Sequence, residues 1–146
     1  MATTILLSMA TVSMLFLVPA DGNDRRELRD VMIALENRLE SARDSARLSG
    51  ESIDVRLRRS SGWTVLEIAN VDSNEPAEQY RIEPSVEVGN RPRGVTRAIV
   101  TGTPRRFQFQ ALGQAGNTVS WNIRYGEARA TLEIDPLSGR IDGTVL

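Results

Sequence analysis

Ala42-Arg43-Asp44-Ser45-Ala46-Arg47-Leu48-Ser49-Gly50-Glu51-Ser52-Ile53-Asp54-Val55-Arg56-Leu57-Arg58 is the stretch in which the sequence changes period. Before Gly50 the apolar and small residues return every three or four positions, the repeat of one helix face. After it, Ile53, Val55 and Leu57 alternate with Asp54, Arg56 and Arg58, as in a strand with one buried and one wet face. Gly50 separates the two regimes, because glycine takes the left-handed conformation that closes a helix at little steric cost. A long helix followed by short strands predicts an α+β fold, in which the helix packs on a small antiparallel β-sheet domain.

Upstream, residues 24–48 read as the amphipathic half of that helix. Leu28, Val31, Met32, Leu35, Leu39, Ala42 and Ala46 share one face, with Arg29, Asp30, Glu36, Arg43 and Asp44 largely off it. The stripe is bulky to Leu39 and small from Ala42, so a sheet can approach its later part closely. Its simplest role is packing on the domain's own sheet. Asp24, with Glu27 three residues on, has the spacing of a capping box, and Pro19, Asp21 and Gly22 are expected to end or kink whatever helix precedes them.

Residues 1–20 carry no charged side chain. As a helix they would run about 30 Å, enough to cross a hydrocarbon core. Ile5, Leu6, Leu7, Met9, Val12, Met14, Leu15, Phe16, Leu17 and Val18 would form a membrane anchor, diluted by Thr3, Thr4, Ser8, Thr11 and Ser13. A cleaved signal peptide is the alternative, since Val18-Pro19-Ala20 before Asp21 is an acceptable small-residue cleavage site, although no basic residue precedes the apolar run. A buried core helix fits least, because the segment is apolar around its whole circumference. The chain thus divides into a stem (1–20), a helix (21–50) and a β-rich domain (51–146).

Downstream of the decisive stretch, Ser60-Ser61-Gly62 reads as a turn and 63–68 as the hairpin partner of the first strand. Residues 70–77, rich in Asp, Asn, Ser, Glu and Pro, read as a loop. Further strands are expected at 79–82, 86–88, 95–100, 107–110, 118–123, 128–134 and 140–145. Turns fall at 89–92, 113–117, 126 and 138–139, with Gly113, Gly116 and Gly139 as fold-determining glycines. Phe107, Phe109, Trp121 and Ile134 are the large residues expected to be buried on alternating strand positions.

Composition narrows the chemistry. Histidine and cysteine are absent, which excludes imidazole bases, thiolate nucleophiles, zinc sites of those ligands and disulfides. All 18 basic residues are arginine, which removes Schiff-base chemistry and the phosphate-loop lysine. With 19 acidic residues the net charge is −1, so any binding of nucleic acid or an anionic surface must be local. The carboxylate pairs Glu133 with Asp135 and Glu83 with Glu87 could in principle do acid–base work, but Glu133 and Asp135 are expected on one strand face, more simply its wet face. Asp72 and Asn74 have the opening spacing of a calcium loop without its glycine and distal glutamate, so they read as solvated. The clusters Arg56, Arg58, Arg59; Arg91, Arg93, Arg97; and Arg105, Arg106 could hold phosphates bidentately, but in the first cluster alternation with apolar residues favours an exposed sheet face. No catalytic, metal or cofactor site is expected.

Three segments carry a family resemblance. The run from Ala42 through Gly50 to Ile53 is similar to the helix end and first strand of the H-type pseudopilins of type II secretion and the related T-type minor type IV pilins, where A-R-x-x-A leads to a glycine and a strand. Phe107-Gln108-Phe109-Gln110-Ala111-Leu112-Gly113-Gln114-Ala115-Gly116 resembles that family's F-x-x-x-G-x-A segment, and 128–134 followed by Asp135-Pro136-Leu137-Ser138-Gly139-Arg140-Ile141 resembles its last hairpin. The resemblance covers roughly 24–141. It implies a minor pseudopilin or pilin subunit in the bacterial inner membrane, single-pass, with its C-terminal domain in the periplasm. Its partners would be other pilin-like subunits of one filament and the inner-membrane assembly platform, with no cofactor or small-molecule substrate.

The family's basic leader, cleavage glycine and Phe-Thr-Leu-x-Glu start are not found before the apolar run. The sequence is therefore expected to begin inside the true anchor, at an internal methionine, and the upstream reading frame tests this. Some T-type minor pilins are understood to bind DNA through a C-terminal Gly-Arg-x-Arg turn. Here Gly139-Arg140-Ile141-Asp142 puts an aspartate at the second arginine position, which repels phosphate and limits any nucleic-acid contact to Arg140. A secreted β-rich binding module is the alternative from another class, and a DNA-binding minor pilin of uptake the second.

Overall fold

The computed structural model describes residues 2–84 and 97–146, and of 2–22 the backbone alone. A single helix, α1 (Ala2–Ser49), leads into eight strands: β1 (Ile53–Ser60), β2 (Trp63–Asn70), β3 (Glu78–Arg81), β4 (Ile99–Thr103), β5 (Arg106–Phe109), β6 (Val119–Tyr125), β7 (Ala128–Ile134) and β8 (Ile141–Val145). They form two four-stranded sheets, in the orders β3-β2-β1-β5 and β4-β6-β7-β8, with every pairing antiparallel. This is the expected α+β architecture, with the strands divided between two sheets. The expected strand at 86–88, the turn at 89–92, and Glu87, Arg91 and Arg93 lie outside the described residues.

α1 ends at Gly50, whose N–H donates to the carbonyl of Ala46 at 2.9 Å with φ at +68°. The expected break at Pro19, Asp21 and Gly22 is not found: the backbone is helical through all three. A proline removes one hydrogen bond, a local cost of about 3 kcal/mol, which a helix with several turns on either side can absorb. The expected capping box fails for the same reason. Asp24 and Glu27 lie inside α1, where there are no terminal N–H groups to cap. Their carboxylates turn to the β6–β7 hairpin tip: Asp24 accepts from the N–H of Glu127 at 3.4 Å and Glu27 accepts from the hydroxyl of Tyr125.

The apolar stripe of α1 rests chiefly on β8 and β7. Leu28, Val31, Met32, Leu35, Leu39, Ala42 and Ala46 are all buried. Each large aliphatic side chain removed from water contributes about 1.5–3 kcal/mol before conformational entropy is charged against it. Below the helix the two sheets share one core. Phe107 meets Phe109 edge-on along β5, with ring centroids 5.1 Å apart, and reaches Trp121 of β6 at 5.8 Å, tying one sheet to the other. The indole N–H of Trp121 is satisfied by the carbonyl of Pro104 at 2.8 Å, so the ring is buried without an orphaned donor.

The strand period is strict where the sequence alternates. β6 and β7 place Val119, Trp121, Ile123 and Tyr125, then Ala128, Ala130, Leu132 and Ile134, inward. Asp135 departs from expectation. It leaves β7 and sits in the β7–β8 turn, its carboxylate accepting from the N–H groups of Leu137 (3.1 Å) and Ser138 (2.8 Å) and from the Ser138 hydroxyl (2.9 Å), so it shares no strand face with Glu133. The preference of Asp for backbone N–H groups two and three residues on outweighs continuing the strand.

Candidate interaction surfaces

The end of α1 is bound to two loops by arginines on its outer side. Arg47 donates to the carbonyls of Leu112 and Ser138, each at 3.3 Å, and Arg43 to that of Gly139 at 3.3 Å. Gly139 is packed so closely that a Cβ there would stand 1.9 Å from the carbonyl oxygen of Gly113. Gly113 and Gly116, at φ +84° and +76°, shape the β5–β6 loop. Around this junction Leu48, Leu112 and Leu137 are each more than three-quarters exposed.

On the other side of the helix a groove of about 660 Å³ opens between α1 and the β2–β3 edge, lined by Ala34, Ser41, Ala42, Ser45, Ile68 and Pro76 among others. Arg38 closes one end, its guanidinium 3.4 Å from the centre of the Tyr80 ring. Tyr80 in turn donates to Glu78, and that bond raises the phenol above its ordinary value, ahead of burial. Its walls mix small and apolar side chains with the carboxylates Glu75 and Glu78.

The outer face of the β3-β2-β1-β5 sheet carries Arg56 and Arg58 of the first arginine cluster, whereas Arg59, opposite Thr64, has the other strand parity. Arg58 pairs with Glu67 at 2.8 Å and Arg106 with Asp54 at 3.1 Å. Trp63 lies beneath Arg97 and Arg81, 4.5 and 5.2 Å from its ring centre. The sequence reading missed this stack. Its signal was a tryptophan at an outward strand position, among the wet residues of a hairpin.

The residues considered for chemistry are dispersed. Asp72 and Asn74 lie in the β2–β3 loop, where the Asn70 side chain accepts from the N–H of Asp72 at 3.1 Å. Asn70, the first residue of the expected loop, itself closes β2 opposite Ile53. Arg140 is exposed and paired with Asp142 at 3.3 Å. Among the described residues no three acidic side chains gather to hold a metal. Among them, too, no helix is long and apolar enough to cross a membrane; the side chains named as the anchor, from Ile5 to Val18, are not among those described.

Residues 33–138 match the family model of type II transport protein GspH, and the chain belongs to that family. Among solved structures it is similar to the type IV minor pilin FimU of Pseudomonas aeruginosa, at a TM-score of 0.57 and 16% identity, covering 80% of this chain and 91% of that one. That likeness concerns the fold. No curated protein matches. The chain is thus a minor pseudopilin or pilin subunit, structural in role, serving protein secretion or pilus assembly. Families of this kind are structural rather than enzymatic; their members are membrane-anchored, face the periplasm and associate with other pilin-like subunits in a filament.

Proposed function

We propose that the chain is held in the bacterial inner membrane as a single-pass subunit by residues 1–20, presents residues 51–146 to the periplasm, and turns over no substrate. It joins its filament through the stem and engages the inner-membrane assembly platform from there. The observation that carries this reading is the division along α1. Its stripe from Leu28 to Ala46 is consumed by the domain's own core, whereas residues 1–20 are uncharged and have the length of a span. Stem association would replace lipid contacts by close helix packing during assembly.

Deletion of residues 1–20 is expected to leave a soluble, folded domain that no longer enters filaments, read by co-fractionation with the other subunits. Equal incorporation of the truncated chain overturns the proposal. So does a mature N-terminus at Asp21, which is the outcome that the secreted binding module requires.

A further inference from the structure

The two sheets turn very different faces outward. On β4-β6-β7-β8 the outward positions are hydroxyl and amide side chains such as Thr101 and Asn122, with Arg124 and Arg129 balanced by Glu133 and Asp142. On β3-β2-β1-β5 the register sets Arg58 opposite Val65 and Val65 opposite Arg81, and it sets Arg56 between Glu67 and Arg106. Directly opposed residues share a face, so these arginines stand together. Trp63, two residues before Val65, joins them, with Arg97 stacked on it at 4.5 Å. Asp54 and Glu67 are the carboxylates among them. In a chain of net charge −1 this positive excess is local to one face.

We propose that this face docks a carboxylate-bearing surface of a neighbouring, different pilin-like subunit, an inference that rests on the chain being a filament subunit. Guanidinium groups bind carboxylates through two parallel N–H bonds, and Trp63 between two cations offers a rigid flat anchor. The face also carries Asp54 and Glu67 in ion pairs at 3.1 and 2.8 Å. A pattern of both signs matches the mixed charge of a folded partner. A second copy is a poorer candidate, because a minor subunit is outnumbered in its filament by other pilin-like subunits.

The face spans four strands, which at about 4.8 Å spacing and roughly 20 Å length gives on the order of 400 Å². That is below the ~800 Å² per partner of a stable soluble complex. The contact therefore forms when stems already hold the subunits side by side and raise their effective concentration.

The test uses the full chain in its own host. A photo-crosslinking amino acid replaces Gln108, on the arginine face, or Asn122, on the other sheet, and adducts are identified by mass spectrometry. The expected result is an adduct with a different pilin-like subunit at Gln108, at least about five-fold above Asn122. Arg56→Glu with Arg81→Glu lowers it by a similar factor and Arg56→Lys with Arg81→Lys keeps most of it, the response of a charge-paired contact. Equal yields at the two positions, no adduct at Gln108, an adduct dominated by a second copy or by nucleic acid, or indifference to charge reversal overturns the proposal. Co-fractionation is read in parallel. An incorporated chain without the Gln108 adduct sinks this inference alone, whereas a chain that never incorporates sinks the filament reading.

Discussion

The hydroxyl of Tyr125, the last residue of β6, donates to the buried carboxylate of Glu27 in α1, 98 residues earlier in the chain. One turn above, Asp24 accepts from the N–H of Glu127 in the same hairpin tip. The helix is thereby fixed at residues 24 and 27 to the tip of the β6–β7 hairpin.

Tyr125→Phe should therefore weaken the domain without changing its fold. Removing one hydrogen bond to a buried carboxylate costs about 1.5–3 kcal/mol. A urea titration of residues 21–146 reads this as a lower midpoint with unchanged slope; an unaltered midpoint would show the joint to be incidental.

Two glycines with similar φ separate strain from crowding. Gly50→Ala, at φ +68° with nothing within 4 Å of the added methyl, is expected to lose about 1–2 kcal/mol from the left-handed backbone alone. Gly139→Ala carries the same strain at φ +70° and also drives a Cβ to 1.9 Å from the Gly113 carbonyl, so its loss should exceed that of Gly50→Ala by about 1–3 kcal/mol. Comparable melting temperatures for the two variants would contradict the packing around Arg43 and Arg47.

Leu39→Ala, at the middle of the buried stripe, should lose about 2–5 kcal/mol through lost burial and the cavity left behind. Leu48→Ala, in an exposed leucine on the same helix, should stay within about 0.5 kcal/mol of the parent. Denaturant midpoints of the two decide between a packed and a loosely docked helix.

Glu36 binds its proton more tightly in the folded protein than at the ordinary 4.5, through burial first and then the charges of Glu40 and Asp142. Its contribution to stability is thus full below that ordinary value and is lost as pH rises through the raised one. Glu36→Gln should flatten this part of the profile and make the protein slightly more stable at neutral pH. Asp135 has the opposite sign: its bonds from Ser138 and Leu137 lower its value below 3.8, so its contribution is present above that value and is lost as pH falls through the lowered one. Melting temperatures from pH 3 to 7 for Glu36→Gln and Asp135→Asn should diverge in opposite directions from the parent at the neutral end.

Much of the fold is legible because it is periodic. The switch at Gly50, the alternation of 128–134 and the helical repeat from Leu28 to Ala46 are properties of neighbouring residues, and burying one face imposes them on the chain directly. The same local logic misplaced Asp24, Glu27 and Asp135, because a carboxylate bonds whichever N–H or O–H the fold brings to it. The groove beside Tyr80 left no local trace at all.

By itself, then, the sequence determined the order of elements, the end of the helix, the residues withdrawn from water and the absence of histidine and cysteine chemistry. Only the tertiary structure decided that the strands divide into two sheets, that Glu27 meets Tyr125, and that Arg56, Arg58, Arg81 and Arg106 share one outward face. The reason is sequence separation. Periodicity is set within a few residues, but register and pairing join positions up to 103 apart, and no local pattern encodes which partner arrives.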